Sequence, residues 1–201
     1  MQMLRGLAVV ACVVLGISGV ARADWRADAG AAYARGDYQT EMSILKPRAE
    51  QGLAIAQARL GYMYALGEGV VQDYKTAAKW LTLAAEQSDE RSQYILGLLY
   101  EKGQGVARDE NTAAKWFTKS AEKGHAPAQN NLGLTYQTGR GVSQDYVKAH
   151  MWFSIAAIDG SSKYAVPNRD EIAKKMTPAQ IARAQELASQ CVAQKFKNCG
   201  S

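Results

Sequence analysis

The sequence predicts an all-α protein, an α/α solenoid of antiparallel helical hairpins, and three observations carry that prediction. Gly61, Gly97 and Gly133 are 36 residues apart, and so are Trp80, Trp116 and Trp152. Aligned on that period, eleven of 36 positions are identical in all three copies: Gln57, Leu60, Gly61, Tyr64, Gly67, Gly69, Val70, Asp73, Ala77, Trp80 and Ala85, with their partners 36 and 72 residues on. Inside each copy the apolar residues recur at helical spacing, as Tyr94, Leu96, Gly97 and Tyr100 do. A pair of short helices cannot bury both its faces, so such units must stack.

The chain divides in order as follows. Residues 1–23 read as a secretory signal peptide: Arg5, an uncharged run from Leu7 to Val20, then Ala21-Arg22-Ala23 as a cleavage site before Asp24. The run is short of the ~20 apolar residues a membrane span needs. Val9 to Cys12 loosely resembles a lipoprotein box, leaving lipidation at Cys12 or an uncleaved anchor as alternatives. Residues 24–52 form a degenerate N-terminal hairpin, with Asp37-Tyr38 one period before Asp73-Tyr74 but no Gly-x-Gly-Val turn. Residues 53–88, 89–124 and 125–160 are the three full copies. In each, an apolar helix ends at a glycine suited to a left-handed cap, as at Gly103. An aspartate (Asp73, Asp109, Asp145) then caps a second helix. Residues 161–201 are C-terminal capping helices and a tail, read as a hairpin with a polar outer face. Its second helix is announced by Thr177-Pro178-Ala179-Gln180, a capping box with Pro at the first helical position.

Composition excludes several classes. With 47% hydrophobic and 21% charged residues among 201, the chain is an ordinary globular one. The formal charge is +5, yet residues 24–158 hold 15 basic against 15 acidic side chains, and residues 159–201 hold 7 against 4. Removal of the leader would leave 178 residues and +3, all of it C-terminal. Nucleic acid is therefore not an expected partner; a binder would need Lys174, Lys175, Lys195 and Lys197 and would lose its ligand in moderate salt. After export Cys191 and Cys199 remain as an even pair in an oxidising compartment. On a continuous helix they would lie ~12 Å apart, so a disulfide requires the chain to turn back near Lys197-Asn198.

These residues resemble the Sel1-like repeat family, a branch of the tetratricopeptide-like solenoids, whose pattern is an Ala-x-x-Leu-Gly-x-x-Tyr helix, a Gly-x-Gly-Val turn, an acidic cap and an Ala-x-x-Trp helix ending near Ala-x-x-Gly. Copy three carries it as Gln129 to Tyr136, Gly139 to Val142, Asp145, Ala149 to Trp152 and Ala157 to Gly160. Copy two departs at its junction, where Ser88-Asp89-Glu90 stands in place of the turn seen at Gly124-His125. The resemblance implies a monomeric, exported adaptor that binds another protein or an extended peptide in its concave groove, in the periplasm or outside the cell, with no membrane insertion after cleavage. It implies a groove lined from the first helix of each copy by Ile55, Ala58, Tyr62 and Leu66, by Arg91, Tyr94, Leu98, Glu101 and Lys102, and by Asn130, Leu134, Gln137 and Thr138.

No catalytic set is visible, and neither a cofactor nor a metal is expected. The recurring Gly-x-Gly lacks the strand and the further residues of a phosphate loop. Ser43-Ile-Leu-Lys46 and Ser120-Ala-Glu-Lys123 fit Ser-x-x-Lys without the partner motifs of a penicilloyl enzyme. Family members with claimed β-lactamase-like activity carry a cysteine pair per repeat, absent here; a hydrolase on this scaffold is the alternative reading. His125 and His150 lack a second ligand at metal spacing. The Trp triplet reads as core, buried between stacked helices, with an N–H needing a partner. Gly61, Gly97 and Gly133 lie mid-helix, which implies close approach of a neighbouring helix.

Overall fold

A computed structural model describes residues 24–158, 160, 162–197 and 199; the signal-peptide reading and Cys12 lie outside them. All regular structure among these residues is helical. Helices α1 (Trp25–Ala34) and α2 (Tyr38–Glu50) make the N-terminal hairpin. The full copies are α3 (Ala54–Leu66) with α4 (Tyr74–Glu86), α5 (Glu90–Lys102) with α6 (Glu110–Ala121), and α7 (Ala126–Thr138) with α8 (Tyr146–Ala156). Helices α9 (Ala165–Ala173) and α10 (Pro178–Ala193) follow. Each helix through α8 packs chiefly on its sequence neighbours, the contact pattern of a solenoid.

Three recurring contacts set the stack. A Cβ on Gly61 would lie 2.5 Å from Leu81 Cγ, one on Gly97 2.6 Å from Phe117, and one on Gly133 2.5 Å from Phe153. The first helix of every copy thus lies directly against the second, with no room for a side chain. The turn glycines Gly67, Gly103 and Gly139 take φ of 75°, 68° and 74°, and the second turn glycine lies against the preceding hairpin: Gly69 on Tyr38, Gly105 on Tyr74, Gly141 on Glu110. At the other end Gln57, Gln93 and Gln129 each donate to the last turn of the preceding second helix, at Ala49 O (3.1 Å), Ala85 O (2.9 Å) and Ala121 O (3.1 Å). A buried carbonyl left bare would be costly, which accounts for an invariant glutamine in an otherwise apolar interface.

The aspartate caps occur where expected. Asp73, Asp109 and Asp145 accept from first-turn amides of α4, α6 and α8, and Asp37 does so for α2. At the divergent junction Ser88 takes the left-handed conformation, φ 75°, that Gly52 and Gly124 occupy elsewhere. Asp89 then caps α5 through Ser92 N at 2.7 Å, whereas Leu53 and His125 give their helices no side-chain cap. A strained serine is thereby offset by a better cap.

Two expectations need correction. Trp152 is fully buried, its Nε1 without a partner among the described residues, whereas Trp80 and Trp116 are only partly buried, each packed against the edge of a core cluster. The difference is α10, whose Ala188 and Cys191 share a cluster with Trp152; nothing comparable covers the other two. Secondly, α9 and α10 are not a closed hairpin: each packs on α8 and they scarcely touch one another. Cys191 and Cys199 are bridged, with Cα atoms 5.1 Å apart. The chain turns back at Lys195 and Phe196, which have φ of 54° and 64°, next to the expected Lys197-Asn198.

Gly97→Leu is expected to abolish the cooperative thermal transition in circular dichroism. Gly30→Ala, in α1 with nothing within 4 Å of its Cβ position, should raise stability by about 0.5–1 kcal/mol. A Gly97→Leu protein that keeps its melting temperature contradicts the close-contact account. Paired Cys191→Ser and Cys199→Ser should cost about 2 kcal/mol, the loop between them being short, and intact protein should carry no alkylatable thiol at either position.

Candidate functional site

The first helices of copies one and two bring part of the expected groove together. Ile55, Ala58, Tyr62 and Arg91 line one concavity of about 400 Å³ with Trp25, Arg26, Tyr33, Glu41, Arg59 and Asp89. Ile55 is 53% exposed and Tyr33 51%, and both lie in this one concavity. Arg59 is fixed on the wall: its Nη2 meets Glu41 Oε2 and Glu68 Oε2, each at 2.8 Å, and its guanidinium lies 4.4 Å from the Tyr33 ring centroid. Its hydrogen bond to Glu41 raises its pKa further. Arg26 and Arg48 lie over the Trp25 ring at 5.0 and 5.4 Å. The Tyr62 hydroxyl points towards Ser92, and burial pushes its pKa well above the usual phenol value.

Tyr94, expected in the middle of the groove, is half-buried and packs against the core cluster around Phe117 and Trp152. Its ring meets His125 at 4.9 Å and Phe117 at 6.1 Å between centroids, and burial raises its hydroxyl pKa. Arg91 is exposed beside it and forms no ion pair among the described residues. Leu98 and Glu101 are half-buried and Lys102 is exposed at the end of α5.

Copy three is different. Asn130 is only 5% exposed, its side-chain oxygen accepting from Asn168 Nδ2 at 3.0 Å, so α9 occupies the place a partner would take. Leu134 is 37% exposed and Gln137 half-buried. Leu66, 65% exposed, and Thr138 flank the turns. The concavity therefore lies between the N-terminal hairpin and the first helices of copies one and two, where Asp89 and Arg91 close it. Trp25, Tyr33 and Arg59 escaped the sequence reading: the first two belong to a hairpin too degenerate to align, and Arg59 has Ile95 and Asn131 in its slot, so nothing in the period marked it.

Neither Ser-x-x-Lys serine is poised for attack. Ser120 is fully buried and donates to Glu90 O at 2.7 Å; Ser43 donates to Thr40 O at 2.8 Å. Among the described residues no cluster of His, Cys, Asp or Glu could hold a metal ion, and no helix is long and apolar enough to cross a membrane.

Residues 54–89, 91–125 and 126–161 each match the Sel1 repeat. The chain belongs to the Sel1 repeat family. Among solved structures it is similar to c5321, a protective antigen of uropathogenic Escherichia coli with an SLR fold, at 35% identity and a TM-score of 0.73 over 80% of this chain. The chain spans about a third of that protein, 34% of its length. It is also similar to a Sel1 repeat protein from Oxalobacter formigenes, at 36% identity and a TM-score of 0.58, over 63% of this chain and 95% of the other. No protein of curated function matches the chain in sequence. Sel1 repeats are scaffolds for contact between proteins, and this chain has that architecture.

Burial is the first cause of a lowered pKa at both His125 and His150; nearby arginines, Arg91 and Arg169 respectively, lower it further, and the adjacent carboxylates of Glu90 with Asp89, and of Asp170, oppose. The unfolded chain therefore binds more protons below the ordinary value of 6.5. Stability is complete above that pH and is lost as the pH falls from it through the folded-state value. Melting temperature should drop between neutral pH and pH ~5, and the drop should shrink in His125→Gln and again with His150→Gln added.

Proposed function

We propose that this protein is an exported, monomeric adaptor that holds a partner protein, through an extended segment, in the groove formed by α1, α3 and α5. The observation that carries this is the inward-facing set of Trp25, Tyr33, Ile55 and Tyr62, with Arg26 and Arg91 beside it, in one open concavity. Aromatic rings and arginine are the side chains that most often anchor protein interfaces; the rings bury much area at little entropic cost, and the guanidinium offers a planar fork of donors. Export is supported by the leader pattern of residues 1–23 and by the Cys191–Cys199 bridge, which persists in an oxidising compartment. The similarity to a protein described as a protective antigen fits the same location.

Proximity labelling in the native envelope identifies the partner. Tyr94→Ala combined with Arg91→Glu should then abolish its capture in pull-down while leaving the helical circular dichroism unchanged. Undiminished capture by that variant would remove the groove from consideration.

A further inference from the structure

A cleft of about 910 Å³ lies away from the groove, at the C-terminal end between α9 and α10. It exists because these helices each pack on α8 and not on one another. Helix α9 has 9 residues where α3, α5 and α7 have 13, so it covers only part of α8.

The floor of the cleft departs from the repeat at every position that faces it. In copies one and two the stripe reads Ala78, Thr82, Glu86 and Ala114, Thr118, Glu122; in copy three it is His150, Ser154, Ile158. Thr82 and Thr118 turn their hydroxyls back to their own helix, at Ala78 O and Ala114 O, 2.8 and 2.9 Å. Ser154 instead meets His150 Nδ1 at 3.4 Å. Ile158 is 64% exposed where the period has a glutamate, an apolar side chain placed in the open. Three coordinated departures on one face, lining a single cleft, are not what drift on a merely solvated surface would leave.

The lining also selects a ligand class. Arg169 and Asp170 neutralise each other, with Nη2 to Oδ1 at 2.8 Å, and burial disfavours charge on the His150 imidazole, so the described lining residues offer no net charge to an anion or a cation. Among its described lining residues there is no Phe, Tyr or Trp ring for a base or a sugar to stack on, and the His150 imidazole is itself buried. What it presents is a mixture of hydrogen-bond donors and acceptors (His150, Ser154, Gln185, Ser189) beside an aliphatic wall from Ile158 and Val192. Alternating N–H and C=O groups with small aliphatic side chains match that lining.

We infer that the cleft between α9 and α10 is a second docking site, for an uncharged extended peptide segment of a partner protein with aliphatic side chains. The test is titration of the full mature chain, labelled with nitrogen-15, with the capped pentapeptide acetyl-Ala-Val-Ala-Leu-Ala-amide, with acetyl-Ala-Asp-Ala-Glu-Ala-amide and with inorganic phosphate. The aliphatic peptide should give saturable shifts at Ser154, Gln185, Ser189 and Val192. Ile158→Glu, which restores the residue type of the other copies at an exposed position, should weaken it about tenfold or more, and Arg91→Glu in the groove should leave it unchanged. Gln185→Ala, also exposed, should weaken it as well and serves if the first variant loses stability. Absence of saturable shifts at millimolar peptide, equal response to the acidic peptide or to phosphate, or indifference to both cleft variants overturns the assignment.

Discussion

The contact on which the rest of this structure depends is a mid-helix glycine pressed against a large side chain of the partner helix: Gly61 on Leu81, Gly97 on Phe117, Gly133 on Phe153. Glycine costs a helix about 1 kcal/mol relative to alanine, and each copy accepts that cost once. In return Leu81, Phe117 and Phe153 are fully buried, each removing a large apolar side chain from water. With that spacing fixed, the turn must close over a set distance, and it closes the same way each time: Asp73, Asp109 and Asp145 donate their amides to Tyr64, Tyr100 and Tyr136 carbonyls at 2.9, 3.0 and 2.9 Å. The second turn glycine then reaches the preceding hairpin at one end of the stack and the glutamine clasp holds it at the other. Two fastenings per interface, at opposite ends, leave little freedom in how one hairpin is rotated on the next.

This explains why the fold was legible and the site was only partly so. Every contact that repeats between copies must be made by the same residues, so it prints itself on the sequence with a 36-residue period. The aspartate caps, the turn glycines and the close helix pairs were all readable for that reason. A groove is the opposite case, since its residues differ between copies in order to be specific. Tyr62, Arg91 and Tyr94 could be placed by register, but Trp25 and Tyr33 come from a hairpin outside the register. Asn130 had the right position and the wrong surroundings, because its burial depends on Asn168, 38 residues on and in a helix that follows no repeat. The tryptophans show the same limit: Trp80, Trp116 and Trp152 are one residue by period, yet their exposure is decided by whether a non-repeating helix lies over them.

The two ends of the array are consequently finished in different ways. At the N-terminal end α1 packs chiefly on α2 and leaves its aromatic residues around the groove mouth, where Arg59 ties Tyr33 to Glu41 and Glu68. Such a wall is preorganised: its charge is already paired and its rings are already held, so a partner would lose little entropy in fixing them. At the C-terminal end the inner face is sealed at Asn130 by α9.

The outer face there is sealed by α10, and the tail explains how a helix outside the repeat is kept in place. Its buried residues are small, Ala184, Ala188 and Cys191, which lets it lie close on α8 but limits the apolar area each contributes. The chain beyond it makes up the difference. Lys195 and Phe196 adopt left-handed backbone, a conformation unfavourable for both residues, and the result is that Phe196 turns back against Gly124, where a Cβ would lie 3.2 Å from its ring. The same reversal brings Cys199 to Cys191. A disulfide closed over so short a segment constrains little of the unfolded chain; its effect is local, holding two adjacent strained residues that aromatic packing alone would have to retain. Trp152 is fully buried in the cluster to which Ala188 and Cys191 belong and against which Phe196 and Cys199 pack, so the bridge and the reversal both lie on the cover of the last full repeat.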